Sequence, residues 1–401
     1  MKVLILSHLY PNKTNPSYGI FVHQQVKKLV ELGIEVKVIA PVPYSPGILH
    51  FYDKWRDYGS IPDRENIEGI EVYHPRYIAL PRQIFFDLSG YNYYYGIKSL
   101  VANIYRDFNF DLINAHVALP DGFAGKLLKK KYESIPLLVT IHGDDVNNVI
   151  HKNKKCRKSI VSVFKEADCI IANSQRTKSK IARFYDKKDK IHLIYNGVSQ
   201  KLISKADQHK QMDFVSDKTK IILTVARLQK VKGIDYAIKA LAGIREIYSD
   251  FKYIVIGDGA EREYLIQLAK DYDLIDKIEF LGRKSNSTVM EYMSKCDIFI
   301  LPSWNEAFGM VYLEALANAK AVIGCRGQGV EEIIEDGISG LLVNAKDVID
   351  LQEKILNLLT DSHLSQMIGN AGQKTVIENF TLEASVNKLI HLYKSILEDK
   401  R

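Results

Sequence analysis

Cysteine is scarce in this chain: Cys156, Cys169, Cys296 and Cys325 are scattered through 401 residues. Their spacing matches no metal-ligand pattern, and Cys169 and Cys296 adjoin strand-like runs and read as plain core residues. This usage points to the cytosol or the cytosolic face of a membrane. Long apolar runs are also missing. None approaches the ~20 residues needed to span a bilayer. The segment Met1–Ser7 has one charge and too short an apolar core for a secretory signal, and reads as a first strand. No Asp-x-Asp falls at a strand end, and no histidine–carboxylate cluster has metal-ligand spacing. Low-complexity stretches are few and 46% of residues are apolar, so a globular chain of two α/β domains is expected.

Charge is unevenly distributed. The net +7 arises because residues 1–200 carry 29 Lys and Arg against 19 Asp and Glu, while residues 201–401 carry 26 against 29. Residues 126–190 alone hold 17 bases and 7 acids. Such runs are usually solvated faces. The sharper expectation is attraction to an anionic membrane surface or a pyrophosphate-linked acceptor, on the order of 1 kcal/mol per base. No nucleic-acid-binding module accompanies the charge, so nucleic acid is not an expected partner. Residues 81–105 are rich in tyrosine and phenylalanine. Helix packing explains that, and contact with a lipid-linked acceptor or a bilayer interface is the alternative.

Buried β runs alternate with amphipathic helices along the whole chain, which predicts parallel sheets. The helix from about Phe21 is expected to bury Val22, Val26, Leu29 and Val30 and to stop at Gly33. The polar segment Gln200–Lys218 breaks the alternation and marks the domain connection. The expected division is 1–200, 201–380 and a closing segment 381–401.

The most informative stretch is Ser303–Glu314. The strand-like run Asp297–Pro302 leads into it, and Leu313, Leu316 and Ala317 follow at helical spacing. Glu306 then sits on the loop leaving a strand, and Glu314 about a turn and a half into the next helix. Between them the amides of Phe308, Gly309 and Met310 are the unpaired donors of a helix N-terminus, and Gly309 allows a phosphate close to the backbone. An anion pocket flanked by two carboxylates suits a ligand that is part diphosphate and part polyhydroxyl, a nucleotide sugar. Two solvated glutamates at a helix start are the plainer explanation.

The spacing resembles the signature of glycosyltransferase family 4, retaining enzymes with the GT-B fold: two Rossmann-like, doubly wound parallel-sheet domains facing across a cleft. The resemblance covers nearly the whole chain. It implies that Glu306 contacts the donor sugar and Glu314 the ribose hydroxyls. Arg227 and Lys232, in Thr224–Gly233, match the family's pair on the donor diphosphate. Fixed cations there stabilise the leaving group's growing charge. Gly282-Arg283 matches the region lining the base pocket. Gly257-Asp258-Gly259 ends a strand in a tight turn and lacks the third glycine of a dinucleotide fingerprint. Gly19 stands where the family has two adjacent glycines near the donor phosphates, with Tyr18 in the first position.

His142 ends a strand in Thr140–Asp145 and matches the family's histidine, a donor-sugar or acceptor contact. Asp144 or Asp145 is expected to meet acceptor hydroxyls, and His116 is a second strand-end histidine. Asn173-Ser174 and Asn196–Val198 are cleft-lining turns or ordinary turn chemistry. The expected activity is metal-independent and cofactor-free. It is transfer of a sugar, from a UDP-sugar ahead of a GDP-sugar, to a saccharide or lipid-linked hydroxyl acceptor in bacterial surface polysaccharide synthesis. No nucleophile stands out, so same-face attack assisted by the leaving diphosphate is expected. The alternatives are a non-catalytic nucleotide-sugar-binding subunit and a phosphorylase or epimerase of the same fold.

Overall fold

The computed structural model describes residues 1–80, 84–199, 202 and 219–399. Apart from Leu202, the expected connection at 200–218 lies outside them. The chain forms two compact units, residues 1–195 with 385–401, and residues 196–384.

The first unit is built on β1 (Lys2–Leu6), β2 (Glu35–Ile39), β3 (Val42–Pro43), β4 (Arg64–Ile67), β5 (Ile70–Tyr73), β6 (Arg76–Tyr77), β7 (Leu112–His116), β8 (Leu137–Ile141), β9 (Cys169–Ala172) and β10 (Ile191–Leu193). The main sheet has the order β10-β9-β8-β7-β1-β2-β5-β4, and β3 pairs with β6. One expectation needs correction: β4 runs antiparallel to β5. Glu68 and Gly69 both have positive φ, the backbone of a two-residue hairpin turn, and Asn66 accepts from the Gly69 amide.

Central strands bury both faces, and so read as unbroken apolar runs. Helix Ser89–Phe108 lays Tyr93, Ile97, Val101 and Ile104 against the core at helical spacing. Helix Ile20–Glu31 buries Val22, Val26 and Leu29 as expected, but Val30 lies 41% exposed at the edge of that stripe. The closing helix Leu382–Glu398 buries Val386, Leu389 and Tyr393, and Asn114 donates to the Tyr393 hydroxyl at 2.7 Å.

The second unit is wholly parallel: β11 (Lys220–Val225), β12 (Phe251–Ile256), β13 (Ile278–Gly282), β14 (Ile298–Ile300), β15 (Ala321–Cys325) and β16 (Leu341–Val343), in the order β13-β12-β11-β14-β15-β16. The chain winds outward from β11 and returns on its other side at β14. This reversal splays the connections apart and opens a crevice at the strands' carboxyl ends. All four cysteines are free and buried. No helix among the described residues is long and apolar enough to cross a membrane.

Candidate functional site in the second unit

A cavity of about 320 Å³ lies at that reversal. Its wall includes Val225 at the end of β11, Ala226 and Arg227 beyond it, Leu301 beyond β14, Lys232, Glu306, and the helix start Gly309–Val311. Residues far apart in sequence meet there because the two strands are neighbours and both turn outward at the same end.

Each charged side chain has a local reason for its position. Lys232 ends a single 3-10 turn, Lys230–Lys232, closed by Gly233 at φ 70°. A Cβ on Gly233 would stand 2.3 Å from the Pro302 carbonyl oxygen, so only glycine lets this turn pack against the other strand end. The Trp304 amide and the Ser303 hydroxyl both donate to the Val231 carbonyl, at 3.0 and 3.1 Å. These bonds tie the two loops together and place the Lys232 ammonium 2.6 Å from a Glu306 oxygen, each side chain 17% exposed. Glu306 is braced from behind: its amide donates to Gln328 at 3.2 Å and its carbonyl accepts from Gly329. Arg227 is exposed at the cavity wall.

The helix Met310–Ala317 starts at Gly309, whose φ is 96°. The amides at the cavity therefore belong to Gly309–Val311, one residue later than expected. Phe308 is 2% exposed and packs against Phe380, so its side chain serves the core. Glu314 does not line the cavity. Part of its surface still reaches solvent, yet burial around the carboxyl pushes its pKa up to about 7. Gly257 backs the site, since a Cβ there would lie 1.8 Å from the Ala226 carbonyl oxygen. Arg283 is exposed and absent from the lining.

In the first unit the strand-end residues form a different cluster. His142 and His116 stack at 8° between planes, with Nε2 and Nδ1 2.9 Å apart. Burial lowers the His142 pKa to about 4 and that of His116 well below its ordinary value, so both are neutral at pH 7. His116 is fully buried behind His142, which removes it as a direct acceptor contact. Asp144 is exposed and bonds Asn148. Asp145 is buried and accepts from the Ala118 and Leu119 amides, which makes it a brace for the turn after β7. Gly19 caps a helix at φ 65°, and a Cβ there would strike the Leu9 backbone at 2.3 Å, so packing alone requires glycine. Ser174 caps its helix and Asn173 bonds Thr177, which is ordinary turn chemistry. Val198 pairs with the backbone at Phe380 and Leu382.

Three residues escaped the sequence reading. Gln328 carried no signal. His8 and Asp121 follow β1 and β7, the position that had singled out His142. The His8 amide and Nδ1 both bond the Asp121 carboxylate, at 2.6 and 2.5 Å.

With this geometry in view, comparison with known proteins places the chain. The Glycosyltransferase Family 4 model matches residues 19–201 and the Glycosyl transferases group 1 model residues 205–375. An uncharacterized glycosyltransferase of Methanocaldococcus jannaschii is 33% identical over 308 residues, covering 77% of this chain and 82% of that one. The chain belongs to glycosyltransferase family 4. A second relative of this family 4 enzyme, the putative teichuronic acid biosynthesis glycosyltransferase TuaC of Bacillus subtilis, is 28% identical over 99% of both chains. Among solved structures, Anabaena HepE in complex with UDP-glucose shares the fold, with a TM-score of 0.74 at 20% identity over 98% of this chain and 100% of that one. The two parallel-sheet domains are those of GT-B glycosyltransferases.

Proposed function

We propose that this family 4 glycosyltransferase moves a sugar from a UDP-sugar, in preference to a GDP-sugar, onto a hydroxyl of a saccharide or lipid-linked saccharide, with retention and without a metal. One observation carries the reading: two cations, a carboxylate and a helix N-terminus converge on a single cavity at the reversal of a parallel sheet. Arg227, Lys232 and the Gly309–Val311 amides hold the diphosphate, where their charge counts most as the leaving group gains its own. Glu306 releases Lys232 to the diphosphate and takes sugar hydroxyls. Glu314 holds the ribose. His142, neutral and with a buried Nδ1 lacking a hydrogen-bond partner, contacts the sugar or acceptor.

The UDP preference is supported by the fold shared with HepE, solved with UDP-glucose, and a role in surface polysaccharide synthesis by the likeness to TuaC, named for teichuronic acid biosynthesis. A cytosolic enzyme peripheral on the membrane's inner face accords with the bases of residues 126–190, though some are occupied internally: Lys129 pairs with Asp168 at 2.7 Å and Lys126 donates to Ser162.

Calorimetry against UDP, GDP and ADP, with magnesium or with a chelator, tests the donor site. UDP should bind best, equally under both conditions, and Glu314→Ala should abolish it. Absence of any nucleotide response would overturn the reading. Binding to anionic vesicles that weakens with salt tests the membrane role, and salt-insensitive failure to bind would sink it.

A further inference from the structure

The sheet of the first unit reverses its own strand order between β1 and β7, so a ligand site is due at their carboxyl ends as well. A cavity of about 610 Å³ occupies that place, with His8 beyond β1 and Pro120 beyond β7 in its wall. Its polarity is graded. Polar groups form the floor. His8, held through Nδ1 by Asp121, is left with Nε2 for a ligand. Burial alone would lower its pKa, but the neighbouring Asp121 carboxylate outweighs that and raises it, which favours the imidazolium. Ser89 is 8% exposed, lines the cavity, and its hydroxyl has no hydrogen-bond partner. Ser89 also opens the twenty-residue helix Ser89–Phe108, whose N-terminus has no side-chain cap, so the positive end of the helix dipole lies here too.

Apolar groups form most of the mouth, with Tyr18 and Asn92 beside them. Ile78 and Phe85 are 64% and 65% exposed, and Leu80, Ile84 and Leu88 about half exposed. A site for a free sugar would carry polar groups at its rim, because both ligand and rim face water. A polar floor beneath a mainly apolar, solvent-exposed mouth suits a molecule whose head enters first and whose tail trails outward. Basic residues flank the same wall: the Lys152 ammonium lies 5.1 Å over the Phe86 ring, and Lys155 is 3.8 Å from Asp87.

We propose that this cavity binds a lipid phosphate, with the phosphate on His8 and Ser89 and the chain running out over Ile78, Ile84 and Leu88. Naming that lipid as the sugar acceptor rests on the proposed function, whereas the binding itself does not.

The chain supplies its own reporter, because Trp55 lines the cavity and the only other tryptophan is Trp304. In a Trp304→Phe protein, monomeric dodecyl phosphate should shift Trp55 emission saturably. Dodecyl maltoside and inorganic phosphate should do so at least about tenfold more weakly, since each lacks one half of the recognition. Adding His8→Gln or Ser89→Ala should weaken the phosphate lipid, by about tenfold for the histidine, with maltoside unchanged. Ile84→Glu, at the exposed mouth where folding is not at stake, should weaken it equally. Equal response to maltoside, a response confined to phosphatidylglycerol vesicles, or none at all would overturn the proposal. UDP calorimetry on the same samples separates the two readings: intact UDP binding beside a silent Trp55 leaves the donor site standing and removes this one.

Discussion

Glu314 sets stability against function in one side chain. An ordinary glutamate titrates near 4.5, and burial raises this one to about 7. A raised acid pKa means the unfolded chain releases its proton first. Stability from this group therefore falls as pH rises from about 4.5 to about 7, and the whole penalty is present above that. Glu314→Gln should raise the melting temperature at pH 8 by roughly 1–4 °C, with little effect at pH 4, and weaken UDP at pH 8 by at least about tenfold. Wild-type UDP affinity should decline from pH 8 to pH 6, as the carboxylate proposed to accept the ribose bonds is neutralised. Thermal melts and calorimetry across that range check both. Lys232 and Glu306 should separate in kinetics. Lys232→Ala should cut kcat/KM on the order of 100-fold and weaken UDP itself. Glu306→Gln should lower kcat while leaving UDP affinity within about threefold, because its proposed partner in catalysis is the sugar. Glu306, Arg227 and Lys232, which line one cavity, were legible as single residues because strand ends and a glycine turn bracket them. His8 and Asp121 were not, since their meaning lies in the 2.5 Å bond between positions 113 residues apart.

Among elements, the glycine turns do most to shape the cavity of the second unit. Gly233→Ala would combine a left-handed backbone with a side chain driven against Pro302. It should cost more than about 1 kcal/mol and move Lys232 off Glu306, so stability and kcat should drop together. If the protein melts as before and keeps full activity, the turn is not what positions Lys232. The alternation itself was readable: buried apolar runs became the central strands of both sheets, because a fully covered strand must be a continuous apolar run. The β4–β5 hairpin was not, because its turn residues, Glu68 and Gly69, sit in a short polar segment without clear period. The helix start at Met310 also fell one residue late, which moved the useful amides from Phe308 to Val311.

For the whole molecule, the closing helix illustrates how distant sequence completes a domain. Residues 385–401 belong to the first unit, where Tyr393 accepts the buried bond from Asn114. Tyr393→Phe should cost about 1–3 kcal/mol by leaving the Asn114 amide unpaired. Deleting residues 382–401 should lower hydrogen-exchange protection in β7 and β9 while leaving β11 and β12 protected. Equal loss in both units would contradict this assignment. The sequence by itself determined the α/β class, the mainly parallel sheets and the family resemblance, and it pointed to Arg227, Lys232 and Glu306, which the fold brings to one cavity, because period and strand-end position are local properties of the chain. The tertiary structure alone decided which of those residues meet. It withdrew His116 and Phe308 into the core, left Arg283 outside the cavity, and turned Asp145 to the backbone. It also joined His8 to Asp121 and set an aliphatic mouth above them. Burial and pairing depend on which strand lies beside which, and that is settled only when the sheets assemble.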